Sequence, residues 1–420
     1  MAQSPKILGG LRPGRLLRRL VDLLGPTGGA ARQSLIALGF NSLTSFAAGL
    51  MLVGFQNTWR ALPPMLLLVP AAIGLRGNVF SALGNRLSTS IHTGAFVVSR
   101  KAESVLGQNL IASFTLTATM STLLALIGTT LAVVLDLQKT ISLFDIVVVS
   151  VVGGLLGSLV VAIATVALTM AAVRYGWDLD NLVAPSVSTL GDVLTIPALW
   201  VAAQLVTTGN ISSVLGAVLA AATVGVAVWS WRSKLSILRE IFRESLPVLS
   251  GALVLSTFAG VVMQKQLDLL QQLPTIWVLQ PAFVSSAGAL GGILCGRVST
   301  GLHVGSIEPT LAPGPQARQD MNLVFGLAVP LLLLNIGGAW ATTSLAVSDA
   351  GPSFLAVLEA GSIAWIATLC FVAAISYLST IGAWRFNLDP DSFGIPLVTA
   401  SVDFVGTMAL VFAVVALGYP

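Results

Sequence analysis

Two aspartates, Asp192 and Asp403, stand inside long apolar stretches, each seven residues after a proline, Pro185 and Pro396. A charge at the centre of a membrane helix costs about 2.5–3.5 kcal/mol on insertion scales, so such a carboxylate usually serves a function or is paired. Helical spacing places Pro185, Ser188, Thr189 and Thr195 on the face of Asp192, and Pro396, Thr399 and Thr407 on the face of Asp403. Each proline also frees a backbone carbonyl one turn upstream. The result is a stripe of oxygen ligands on each of two helices. With no Cys/His cluster beside it, that chemistry suits a hard cation such as Mg²⁺, which keeps much of its water and takes one or two carboxylates. Two carboxylates facing each other repel unless a cation sits between them. The competing expectation is a salt bridge from each aspartate to an arginine such as Arg76 or Arg86. A third acid inside a span, Glu359, corresponds to Val148 in the first half and reads as a local hydrogen-bonded or gating residue.

Other residues around these helices divide between chemistry and packing. Gly74, Gly77, Gly288, Gly291 and Gly292 permit close helix packing, with Gly77, Asn78 and Gly288 also candidates to line an ion path. His92 and His303 stand alone beside hydroxyls and read as hydrogen-bonding groups at helix ends. Asp178, Asp180, Asp389 and Asp391 precede the aspartate-bearing segments. They serve as helix caps or as attractors of cations at a pore entrance.

The elements that must position these residues follow from composition. Of 420 residues, 9% are charged and 55% hydrophobic, and the mean hydropathy is +0.91. A soluble domain this apolar could not cover its own surface, so an ordinary cytosolic enzyme, a disordered chain and a nucleic-acid binder are excluded. Cys295 and Cys370 lack the spacing of a disulfide framework or a zinc site. A bilayer core needs roughly 20 apolar residues per helix, which gives eleven spans: 35–55, 62–90, 108–135, 141–173, 182–205, 210–231, 246–264, 274–302, 321–345, 352–380 and 395–418. The Gly and Pro clusters of the second and eighth predict broken or kinked helices. With a cytoplasmic N-terminus, 17 of the 21 Lys and Arg residues fall on the inner side, three on the outer, and Arg76 remains within a span. That is a strong positive-inside bias, and it places the C-terminus outside. The basic, leucine-rich N-terminal stretch reads as an amphipathic helix on the inner membrane surface, not a cleavable signal peptide, and Arg232–Glu244 as a second surface segment.

Self-comparison reveals a duplication. At one offset of 211 residues, PAAIGLRGNVFSALGNRLSTSIHTG (70–94) lies on PAFVSSAGALGGILCGRVSTGLHVG (281–305), and Asp178, Asp180, Pro185 and Asp192 lie on Asp389, Asp391, Pro396 and Asp403. Ala48-Gly49 likewise meets Ala259-Gly260. Five spans per half would leave the halves antiparallel, and the extra sixth span restores a common orientation. The expected fold is an all-α polytopic membrane protein of two parallel five-helix repeats joined by an extra transmembrane helix, with a pseudo-twofold axis along the membrane normal. Its parts are a basic cytoplasmic segment (1–34), a first repeat (35–205), a linker helix with an amphipathic segment (206–245) and a second repeat (246–420).

IGLRGNVFSALGNRLSTSIHTG (73–94) together with DLDNLVAPSVSTLGDVLT (178–195) resembles the MgtE family of magnesium channels and transporters, in particular its two-repeat branch related to solute carrier family 41. The resemblance implies an α-helical pore along the pseudo-twofold that passes divalent cations, chiefly Mg²⁺, with Mn²⁺ or Co²⁺ as alternatives. It matches the family's membrane-embedded aspartate to Asp192 and Asp403. Three features depart from the pattern. Ala289 stands where the first repeat has Asn78, which implies an asymmetric pore, and about 34 residues precede the first span, without the cytosolic sensor domain of single-repeat members. Single-repeat members build the pore from two chains, so one chain should suffice here. The expected setting is the plasma membrane, with lipid and divalent cations as partners and no nucleic acid. A Na⁺- or H⁺-coupled exchanger is the rival within transport. An intramembrane aspartyl protease is the rival outside it, but Thr189 stands where its GxGD motif requires glycine, and no Tyr-Asp pair occurs.

Overall fold

The computed structural model describes residues 28–62, 64–92, 94, 101–136, 142–175, 179–206, 211–346, 352–388 and 390–418. Its elements among the described residues are helices: α1 (Gly28–Gly54), α2 (Gln56–Ala61), α3 (Pro64–His92), α4 (Val105–Val134), α5 (Leu143–Tyr175), α6 (Leu179–Gln204), α7 (Ile211–Arg232), α8 (Ser236–Lys265), α9 (Leu267–Gln272), α10 (Pro274–Val304), α11 (Pro315–Ala346), α12 (Phe354–Arg385) and α13 (Pro390–Ala416). The predominance of helix follows from the solvent, since an apolar chain in lipid must satisfy its backbone groups internally. Adding 211 to the bounds of α2 gives those of α9. The same shift lays α1, α3, α4, α5 and α6 on α8, α10, α11, α12 and α13 to within three residues.

Local chemistry repeats with the same period. Ser142 and Ser353 are counterparts, and each hydroxyl caps a helix, accepting from the amide of Asp145 at 3.2 Å and of Ala356 at 3.3 Å. Gly94 and Gly305, the last residues of the repeated motif, both follow a helix with a left-handed backbone, φ +72° and +78°. Glycine adopts that geometry without the penalty a Cβ imposes.

Ten helices among the described residues are long and apolar enough to cross a membrane. The eleventh long helix, α6, has 26 residues, about 39 Å at 1.5 Å per residue, and packs against α1, α3 and α5. The chain is an integral, all-α polytopic membrane protein. Helix α7, with no counterpart in the repeat, packs on α4 and α5 and turns Val214, Val218, Val224 and Val228 outward.

Three expectations are corrected. Helices α3 and α10 are not broken at Pro70 and Pro281 but run continuously through them, because tightly packed neighbours hold the chain where one backbone hydrogen bond is lost. The stretch expected as a separate surface segment is instead the start of α8, which is continuous from Ser236. Its first amides, those of Ile237 and Leu238, donate to Gln108 Oε1 of α4 at 3.1 and 3.3 Å, and Leu238 and Phe242 are buried. Glu359 is exposed in the second turn of α12 and does not lie deep in the bundle.

The two repeats exchange their first helices. Helix α1 packs on α10 and α11 of the second repeat, and α8 packs on α3 and α4 of the first. Two glycines at offset 211 make the closest approaches. A Cβ on Gly49 would lie 2.5 Å from Val278 Cα, and one on Gly260 would strike the Leu67 carbonyl. Val278 and Leu67 are themselves counterparts, so one contact is made twice.

Candidate functional site

The exchange decides what surrounds each aspartate. Asp192 lies on α6, which packs against α1, and α1 in turn packs against α10 of the other repeat; Asp403 lies on α13, against α8, which packs against α3. The same three-helix arrangement therefore encloses each carboxylate.

Asp192 is 7% exposed, and its Oδ2 accepts from Ser285 of α10 at 3.1 Å. Ser285 accepts in turn from Asn41 Nδ2 of α1 at 2.9 Å, and Asn41 Oδ1 accepts from Thr189, one turn before Asp192, at 3.2 Å. Alongside, Ser42 of α1 meets Ser286 of α10 at 3.0 Å. Asp403 is more accessible. Its Oδ2 accepts from Ser256 of α8 at 2.8 Å. A Cβ on Gly74 of α3 would lie 3.1 Å from that oxygen, so the glycine leaves room for the carboxylate. Gly74 is the counterpart of Ser285, and Ser256 the counterpart of Ser45. Ser45 Oγ is buried without a hydrogen-bond partner among the described residues. The two halves thus hold their carboxylates from opposite sides, one by α10 and one by α8.

The salt bridges weighed as an alternative are not formed within 4.0 Å among the described residues. Arg76 is 3% exposed and donates to Thr195 Oγ1 at 2.5 Å and to the carbonyls of Gly153 and Gly154 at 3.2 and 3.4 Å. Arg86 donates to Asn109 Oδ1 at 2.9 Å, and its counterpart Arg297 to Asp320 Oδ1 at 2.7 Å. These arginines brace helix pairs without a direct ion pair to either carboxylate, although Arg76 crosses α6 beside Gly191, next to Asp192.

The remaining expected residues divide. Thr189 belongs to the Asp192 network. Thr399 Oγ1 lies 3.4 Å from Asn78 Oδ1 and 3.1 Å from the Pro396 carbonyl, joining α13 to α3 across the repeats. Thr195 is held by Arg76, and Thr407 accepts from Gln280 Nε2 at 3.0 Å in the core, so both leave the oxygen stripe. Gly77 and Gly288 lie at ordinary helix-packing distances from the aspartate-bearing helices. A Cβ on Gly191 would stand 3.7 Å from the Gly77 amide, and one on Gly288 would stand 3.6 Å from Thr399 Cγ2. His303 packs edge-on against Trp384 at 4.9 Å, and its Nδ1 donates to the Ser299 carbonyl at 2.8 Å. Asp178 and Asp389 lie outside the described residues, as do the side chains of Asp180, Asp391, Ser188 and His92.

Asn41, Ser285 and Ser256 were not singled out from sequence. Asn41 carried a signal, an amide within an apolar span, whereas the serines had none, since a lone serine is common in such helices. No group of three or more His, Cys, Asp or Glu side chains gathers among the described residues.

A duplicated, all-helical bundle with one buried carboxylate per repeat defines a class of polytopic integral membrane proteins built from paired repeats. A family model described as "Divalent cation transporter", MgtE, matches residues 69–202 and again 280–413. The chain belongs to the MgtE family of divalent cation transporters. It is 25% identical to solute carrier family 41 member 3 of Mus musculus over 426 residues, covering 93% of this chain and 85% of the relative. It is 27% identical to solute carrier family 41 member 2 of Homo sapiens, covering 90% and 69%. No solved structure matches.

Proposed function

We propose that this chain moves Mg²⁺ across the plasma membrane along a path between its two repeats, with Asp192 and Asp403 as the charged ligands. The observation that carries the reading is that these counterparts occupy equivalent three-helix settings, each accepting from a serine of the other repeat or of its neighbouring helix and neither neutralised by a salt bridge. A buried pair of like charges is unfavourable when empty and favours a divalent cation between its members. Ser256, Ser285, Asn41 and Asn78 would supply neutral oxygens or hold the cation's water, in keeping with the reluctance of Mg²⁺ to dehydrate. Mn²⁺ and Co²⁺ are competitors for the same set. Both halves lie in one chain, so a monomer has the complete site. The N-terminus is cytoplasmic and the C-terminus outside, as the basic residues require. The protein acts as a transporter and not as an enzyme.

Purified protein in liposomes tests this reading. Mg²⁺ should enter the vesicles, and Asp192→Asn and Asp403→Asn should each reduce entry while the folded protein is retained. Well-folded variants with normal uptake would sink the ion-site reading. Repeating the assay with imposed Na⁺ or H⁺ gradients separates a channel from a coupled exchanger.

A further inference from the structure

The two repeats differ at Arg76. Its counterpart is Ala287, so the first repeat carries a buried cation that the second lacks. The surroundings diverge with it. A Cβ on Gly157 would collide with the guanidinium, so glycine at that position makes the space, and the second repeat has Thr368 there. Where the first repeat offers the Gly154 carbonyl, the second has Trp365, buried against Phe283.

Arg76 crosses α6 at the turn that bears Asp192. A Cβ on Gly191 would lie 3.6 Å from Arg76 Cγ, and the guanidinium ends on Thr195, three residues beyond the aspartate. Its hydrogen-bond partners, Thr195, Gly153 and Gly154, are all neutral, and its Nε has no partner among the described residues. A buried guanidinium needs a counter-charge. The acid on the turn of α6 that Arg76 crosses is Asp192, next to Gly191.

We propose that Arg76 is a tethered counter-cation for Asp192 that makes the two aspartates unequal, leaving Asp403 as the principal ligand for the incoming divalent cation. This rests on the reading of Asp192 and Asp403 as the ion site. When the cation departs, the emptied site retains one uncompensated negative charge instead of two. A resident positive charge therefore weakens divalent binding and eases release, and this is the property a transporter needs at a site that must be vacated in each cycle. The rival is a purely structural brace that ties α3 to α5 and α6.

A charge cycle on the purified full-length chain separates the two, read as Mg²⁺ affinity by calorimetric titration, with thermal unfolding as the check on folding. In the native background, Asp403→Asn should weaken Mg²⁺ binding more than Asp192→Asn does. Arg76→Gln should tighten Mg²⁺ binding by about tenfold, and this gain should shrink when combined with Asp192→Asn. Asp192→Asn should also lower the unfolding temperature, and adding Arg76→Gln should recover part of that loss. Affinity unchanged by Arg76→Gln, or changed equally with and without Asp192, would overturn the proposal. Should Arg76→Gln fail to fold, Arg76→Lys decides: lysine keeps the charge but not the fork that reaches Gly153 and Gly154. Native-like affinity then supports the counter-cation, and an affinity shifted as far as by Asp192→Asn overturns it. If neither aspartate variant alters Mg²⁺ affinity, the ion-site reading itself fails, an outcome distinct from the loss of coupling to Arg76.

Discussion

The two repeats agree in backbone and disagree around their carboxylates. Caps, helix bounds and the Gly49 and Gly260 contacts recur at one offset, yet Asp192 is fastened by Ser285, Asn41 and Thr189 and lies beside Arg76, whereas Asp403 has Ser256 and an open face at Gly74. The layer behind differs too. Ser42, Ser286 and Asn335 meet through polar contacts, where their counterparts Leu253, Leu75 and Leu124 are apolar. Duplication preserves what positions helices, because a backbone clash cannot be repaired locally. Side chains facing the shared centre can diverge, because each touches the other repeat and not its own copy.

The comparison breaks most sharply at the aspartates. Each Asp→Asn change should lower Mg²⁺ uptake by about tenfold or more, since it removes one of two charges that offset dehydration, and Asp403→Asn should be the more severe. Equal losses from both variants would mean that the differing surroundings do not matter for transport.

Next in size are the two glycine contacts, where the halves should respond alike. Gly49→Ala and Gly260→Ala each drive a Cβ into facing backbone and should cost about 1–3 kcal/mol or more. Thermal unfolding measures this, with Gly251→Ala, whose Cβ meets nothing within 4 Å, as the harmless control. A large loss at one contact only would show that one exchanged helix holds the fold more than the other.

A smaller effect is expected where the halves brace the same helix pair differently. Asp320→Asn turns the Arg297–Asp320 ion pair into a copy of Arg86–Asn109. It should cost about 1 kcal/mol, because an acceptor remains and Arg297 is partly exposed. Asp320→Ala, which leaves no acceptor, should cost more in the same denaturation assay. Least of all, Ser142→Ala and Ser353→Ala should each remove about 1 kcal/mol or less, the usual value of a helix cap.

Much of the molecule was legible without coordinates. Composition determines a helical membrane protein because so few charges cannot solvate a surface. The offset of 211 residues determines the duplication and, through it, the pairing of Asp192 with Asp403. Span ends were legible to within about seven residues, the helices α1 and α11 starting seven and six residues early, except at α8, which starts ten residues early where basic residues obscured a helix start buried against Gln108. Helical spacing also grouped Thr189 with Asp192, but it assigned Thr195 and Thr407 to the same oxygen stripe, and in the fold their hydroxyls are taken by Arg76 and Gln280.

Only the tertiary structure decided which helix covers which carboxylate. A helix in lipid is apolar on nearly every side, so its sequence carries little record of which face meets a neighbour and which meets lipid. The exchange of α1 and α8 is settled by the backbone approaches at Gly49 and Gly260, and that exchange brings Ser285 to Asp192 and Gly74 to Asp403. The role of Arg76 was hidden for the same reason. The sequence determines that a cation is buried and that Ala287 stands at its counterpart, but the choice of neutral oxygens over a direct salt bridge depends on how α3, α5 and α6 pack together.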